Sequence, residues 1–121
     1  MSKKILIIDD EPDLIAVAVA RLMKAGYDVI ESCDGESGLE KMRQEKPDLV
    51  VLDLMMPGVD GREVCRRKLE DPLIKDIPVI IFTASVHGIE DKVQELGAAD
   101  YELKPFDSRS LVEKIKKLTG S

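Results

Sequence analysis

Four strand ends in this sequence carry side chains capable of phosphate chemistry. "ILIIDDEP" (5–12) runs four apolar residues straight into Asp9, Asp10 and Glu11. "DLVVLD" (48–53) ends a second apolar run on Asp53, and "IPVIIFTA" (77–84) ends a third on Thr83 and Ala84. "DYELK" (100–104) ends on Lys104, with Pro105 next. Two like charges about 4 Å apart repel by roughly 4 kcal/mol at an effective dielectric near 20. Adjacent carboxylates therefore need screening water or a positive partner. A cluster of oxygen ligands without His or Cys suits a hard ion such as Mg²⁺, which binds through one or two carboxylates plus waters and substrate phosphate. Asp9, Asp10 and Asp53 bring three negative charges; Lys104 offsets one, and a divalent cation would offset the other two. Such a site would attract a phosphate that bare carboxylates would repel.

The elements that must bring these residues together alternate along the chain. Short β-rich runs at 4–9, 27–32, 48–53, 77–84 and 100–104 alternate with helical stretches at 12–26, 34–46, 62–71, 86–97 and 108–118. The first helix places Leu14, Ile15, Ala18, Leu22 and Met23 near a helical period, with Pro12 in its first turn and Gly26 as a stop. Its AVAVA core also alternates, and length with the flanking Pro and Gly decides for helix. Asp34 is the expected cap of the second helix and Ser108 of the last. Gly88 weakens the start of the fourth. Strands rich in Val, Ile and Leu are buried on both faces, which predicts a parallel sheet covered by helices with right-handed crossovers. In such a sheet all strands end on one edge, and ligands bind where the winding reverses. The carboxylates, Thr83 and Lys104 then converge if the first and third strands are neighbours.

The bulk numbers bound the function. A chain of 121 residues fits one hydrophobic core. Net charge of -6 argues against a nucleic-acid surface, which needs a basic stripe. No apolar run approaches a membrane span, and MSKK leads directly into a strand with no signal peptide. Cys33 and Cys65 lie far apart without CxxC spacing, so the reading is two unpaired thiols, core or half-buried, in a reduced cytoplasmic compartment. Taken singly, each site residue has a plainer reading. Asp9 and Asp10 could cap a helix, Asp53 could serve a turn, and Lys104 could be a surface lysine. Their convergence on one edge favours chemistry. Glu11 stays outside the metal shell because it starts a helix, Gly58 and Gly61 serve loop conformation, and His87 is a surface residue.

"LIIDDEP", "LVVLDLMMPGVDG", "VIIFTA" and "LKPF", in this order and at these spacings, resemble the receiver domain of two-component response regulators over Lys3 to Leu118. The resemblance implies a flavodoxin-like (βα)5 three-layer sandwich with a five-stranded parallel sheet in the order 2-1-3-4-5, and a single receiver domain over 1–121. It implies that Asp53 is the phosphoacceptor, taking a phosphoryl group from a kinase phosphohistidine. It implies that Asp9 and Asp10, with Asp53 and the Met55 backbone carbonyl, hold Mg²⁺. Thr83 and Lys104 would contact phosphoryl oxygens, and Tyr101 would reorient as Thr83 moves. The surface of the fourth helix, fifth strand and fifth helix would then change. Implied partners are a sensor histidine kinase or phosphotransfer protein and a downstream protein or effector domain, with a homodimer formed on phosphorylation. Ala99 in "GAADY" replaces an acidic residue common in that dimer and counts against it. Met55 and Ser85 fall at positions that tune phosphoryl lifetime. The chain would be a signalling phosphoacceptor, catalysing only its own phosphorylation and dephosphorylation. Its end at Gly120-Ser121 fits a single-domain regulator or a receiver cut from a longer protein.

Two rivals share the same strand-helix alternation. An aspartate-nucleophile phosphohydrolase ends its first strand with DxD, whereas here Glu11 stands two after Asp9. A flavin-binding module needs a Ser/Thr/Gly-rich phosphate loop, of which "DDEPD" is the electrostatic opposite.

Overall fold

Strands covered by helices on both sides must be apolar along their length, and the three central ones are. A computed structural model describes residues 2–84, 87–105 and 107–120. Its elements are β1 (Lys4–Ile8), α1 (Pro12–Lys24), β2 (Asp28–Ser32), α2 (Gly35–Glu45), β3 (Leu49–Asp53), α3 (Gly61–Leu69), β4 (Val79–Thr83), α4 (Ile89–Glu95), β5 (Asp100–Leu103) and α5 (Ser108–Thr119). All five strands are parallel, in the order β2-β1-β3-β4-β5. Every residue of β3 and β4 is buried, while the edge strands β2 and β5 are partly exposed.

Side chains alternate across each strand, and two cores result. Leu6, Ile8, Val50, Leu52, Val79 and Ile81 pack under α2, α3 and α4. Ile5, Ile7, Val51, Ile80 and Phe82 pack under α1 and α5. This is the expected three-layer sandwich, and β1 and β3 are neighbours as the site requires.

The helix ends differ from expectation in instructive ways. The cap of α5 is Asp107, whose carboxylate accepts from the N–H groups of Arg109 at 2.9 Å and Ser110 at 3.4 Å; Ser108 is already helical. Both types cap well, and the aspartate one residue earlier reaches the open donors first. Asp34 caps α2 as expected, accepting from Ser37 N–H at 2.8 Å. Helix α4 starts only at Ile89, because Gly88 before it takes a left-handed conformation (φ 65°) that a right-handed helix does not include. Helix α1 stops two residues early, at Lys24, before Gly26 (φ 99°). On it Ile15, Ala18 and Leu22 are buried, but Met23 is exposed: the stripe is narrower than the spacing allowed. Cys65 is buried, whereas Cys33 is exposed rather than half-buried, and both are free. His87 is exposed. Ser85, Val86 at the expected start of the fourth helix, and Phe106 of "LKPF" lie outside the described residues.

Candidate functional site

The winding reverses between β1 and β3, since the chain runs outward from β1 to β2 and then returns to β3. Ile8 pairs with Leu52 in register, so Asp9 and Asp53 come next on adjacent strands at that switch point. Both are buried, at 1% and 3% exposure. Each is held by a backbone donor two residues on: Glu11 N–H donates to Asp9 Oδ1 at 2.9 Å, and Met55 N–H to Asp53 Oδ1 at 3.1 Å. Lys104 reaches in from the end of β5. Its Nζ lies 2.8 Å from Glu11 Oε1, 3.0 Å from Asp9 Oδ2 and 3.4 Å from Asp53 Oδ2. The lysine backbone is fixed to β4, its N–H donating to the Thr83 carbonyl at 2.9 Å. Thr83 is buried at the end of β4.

Burial pushes the Asp53 carboxyl up to about 6. The Met55 N–H opposes this, the Asp9 charge adds to it, and the Lys104 ammonium counters it. Burial alone would lower Lys104, but the carboxylates of Glu11, Asp9 and Asp53 outweigh it and hold its pKa above the usual lysine value. Asp53 is thus a carboxylate at neutral pH, with an affinity for protons, and for other electrophiles, above that of a solvated aspartate.

The donor set fits a hard cation. Asp9, Asp10, Glu11 and Asp53 each place one oxygen within 4.8 Å of the others. Asp9 Oδ2 is buried and has no aligned hydrogen-bond donor; its ion pair with Lys104 lacks hydrogen-bond alignment. That ammonium is a single charge shared with Glu11 and Asp53, so the cluster stays net acidic and a divalent ion would offset most of what remains. Asp10 is exposed, where an entering ion would find it. The Met55 side chain is 76% exposed, so only its backbone faces the site.

The structure brings Asp9, Asp10, Asp53 and Lys104 together, with Thr83 tied to Lys104 through the backbone. Tyr101 is not in the cluster. It is half-buried on β5 in register with Ile81, and Thr83 is the next same-face residue on β4. Two residues do more than the sequence showed. Glu11, the expected helix start, lies in the acidic cluster and is the nearest partner of Lys104. Gly61 has no positive φ; a Cβ there would meet the Asp53 carbonyl oxygen and Leu54 Cα at 2.6 Å. Its bareness lets α3 begin against the end of β3. Gly61→Ala should push that backbone away from Asp53 and cost roughly 1–3 kcal/mol in urea unfolding, an outcome that unchanged stability would contradict.

Comparison with known proteins assigns this architecture. The family described as "Response regulator receiver domain" matches residues 5–116. The chain belongs to the response regulator receiver domain family. Receiver-containing relatives include the alkaline phosphatase synthesis transcriptional regulatory protein PhoP of Bacillus subtilis, 44% identical over 118 residues, which cover 96% of this chain and 48% of that protein. This receiver chain spans about half the length of the curated relatives it matches. Among solved structures, the N-terminal domain of a response regulator receiver protein from Methanoculleus marisnigri is 38% identical, with a TM-score of 0.79 over 95% of this chain and 94% of that one. The receiver domain of a sensor histidine kinase from Pseudomonas aeruginosa, 26% identical with a TM-score of 0.91 over the whole of both chains, holds a magnesium ion in its active-site cleft. The fold is that of a receiver, a phosphoacceptor module of two-component signalling and not a classical enzyme family. Among the described residues, no helix is long and apolar enough to cross a membrane.

Proposed function

We propose that residues 1–121 form one receiver domain that accepts a phosphoryl group on Asp53 from a histidine kinase or phosphotransfer protein in the cytoplasm. One observation carries the reading: a buried aspartate at the switch point, its pKa raised to about 6, stands between further carboxylates and a lysine. An Asp53 oxygen attacks phosphorus, and the bond to the donor nitrogen breaks with its electron pair leaving on that nitrogen. Lys104 and the Thr83 hydroxyl stand at the ends of neighbouring strands, placed to meet phosphoryl oxygens. Mg²⁺ held by Asp9, Asp10, Asp53 and the Met55 carbonyl would supply positive charge to a site whose own residues are net acidic. Movement of Thr83 toward the phosphoryl group would draw Tyr101, its same-face neighbour, and alter the α4-β5-α5 surface that a downstream protein or effector domain reads. A phosphorylation-driven homodimer through that surface would lack the acidic contact that Ala99 replaces.

Incubation with acetyl phosphate, with and without Mg²⁺, followed by intact mass measurement tests this. One Mg²⁺-dependent phosphoryl adduct, labile in mild base, is expected. No adduct while a control receiver labels would overturn the reading, and sustained turnover of phosphomonoesters would favour the phosphohydrolase. The same assay should depend on pH with a definite sign. Only the carboxylate is a nucleophile, so labelling falls as pH drops, and raising Mg²⁺ from limiting to saturating should pull the midpoint downward from the value of about 6 that burial sets, because the ion favours the ionised form. A midpoint that does not move as Mg²⁺ is raised would place the metal elsewhere.

A further inference from the structure

Lys114 of α5 is used by nothing so far described, yet it makes three contacts at once. Its Nζ donates to Glu102 Oε1 at 3.1 Å and to the Tyr101 backbone carbonyl, and it stands 5.2 Å from the centroid of the Tyr101 ring. Glu102 is buried and also accepts from Ser110 Oγ at 3.0 Å. These contacts lie on two faces of the sheet. Tyr101 packs against the core under α2, α3 and α4, whereas Glu102, one residue on, points toward α5. Lys114 therefore wraps the outer edge of β5, anchored to α5's side by Glu102 while its charge sits over a ring on the other side. Beside that ring, Tyr101 and Leu103 line a cavity of about 340 Å³ with Gly88, Ile89, Glu90 and Asp91 at the start of α4. The cavity gives the ring space beside it, and the ammonium over its face attracts it in addition to its packing against the core.

We propose that Lys114 is a positioning residue for the switch: anchored by Glu102, it holds the Tyr101 ring in its resting place, so that phosphorylation must break this contact to reorient the ring. The inference rests on the reading of Asp53 as phosphoacceptor and Tyr101 as the reorienting aromatic. The ion pair to Glu102 fixes where the ammonium sits; the contact with the ring biases the two-state element. Loss of the charge should raise the population of the reoriented state by about fivefold, the worth of one half-exposed cation–π contact. Labelling of Asp53, if it is faster in that state, should rise by a similar factor.

The chain has two tyrosines, Tyr27 and Tyr101, so 3-fluorotyrosine gives two fluorine resonances that Tyr27→Phe assigns. The test compares Lys114→Met, Lys114→Arg and Glu102→Gln, each with fluorine spectra in donor-free protein and initial rates of acetyl phosphate labelling. Lys114→Met should move the Tyr101 resonance without any phosphoryl donor and speed labelling about fivefold. Lys114→Arg keeps the cation and should behave as the parent. Glu102→Gln removes the anchor and should move the Tyr101 resonance and labelling in the same direction as Lys114→Met but less, because the Tyr101 carbonyl still holds the ammonium. In a Tyr101→Leu background, Lys114→Met should add nothing. An unmoved Tyr101 resonance in Lys114→Met overturns the proposal. So does acceleration that persists without Tyr101, which would make the lysine a staple between α5 and β5 and no more. If the parent takes no phosphoryl group, the phosphoacceptor reading fails, while the donor-free spectra still decide whether Lys114 places the ring.

Discussion

Asp53→Asn should abolish labelling by acetyl phosphate and, in the same protein, raise stability at neutral pH without Mg²⁺. The first effect follows because an amide oxygen is too weak a nucleophile to form the acyl phosphate. The second follows from linkage. The Asp53 carboxyl has a folded-state pKa of about 6 against an ordinary 3.8, which penalises the ionised native form by about 3 kcal/mol. A raised acid pKa means that the native state binds the proton more tightly. Stability from this group is therefore fully present below about pH 4 and is lost as pH rises through about 6. The asparagine carries no such penalty. The difference between variant and parent in urea unfolding should be near zero at pH 4 and reach about 2–3 kcal/mol at pH 7. Saturating Mg²⁺ should shrink it by stabilising the parent more. A variant less stable than the parent at pH 7 would mean that the Asp53 charge is already well compensated in the metal-free fold.

The second large effect concerns Lys104. Lys104→Met removes the cation shared by Glu11, Asp9 and Asp53. Asp9 and Asp53 are almost wholly buried, and stranding buried carboxylates by deleting their partner costs about 3–5 kcal/mol. The loss should be large at pH 7 without metal and small with Mg²⁺, because the ion supplies the missing charge to the same oxygens. Labelling at Asp53 should survive in Mg²⁺, slowed, while the response of the Tyr101 resonance to labelling is lost. Urea unfolding at pH 7 with and without MgCl₂ checks this. An equal loss in both conditions would show that Lys104 acts through its contact with the Phe82 ring, over which its Nζ stands 5.3 Å from the centroid, and not through the charge balance.

The strand ends were legible because parallel sheets leave little choice. Apolar runs that end in Asp9, Asp53 and Thr83 must present those residues on one edge, and the pairing of β1 with β3 then sets the two aspartates on neighbouring strands. What escaped notice depends on reach and on backbone approach, which have no periodic signature. Glu11 begins a helix, so its local role was clear, but its bond to Lys104 joins residues 93 apart in sequence and exists only once β5 lies beside β4. Gly61 looked like turn chemistry because it follows Pro57 and Gly58; that its hydrogen lies against the Asp53 and Leu54 backbone is a fact of packing. Asp107 and Ser108 are both good caps, and one residue of register separated them. The exposure of Met23 shows the same limit: helical spacing gives the direction of the buried stripe, but the neighbouring element sets its width.

The most direct measurement is chemical trapping. An aspartyl phosphate is reduced by borohydride to homoserine, which survives digestion and can be placed by peptide sequencing. After labelling with acetyl phosphate and Mg²⁺, homoserine at position 53 alone is the predicted result. Homoserine at Asp9 or Asp10, or a stable adduct that borohydride does not reduce, would contradict the assignment of Asp53 as the phosphoacceptor.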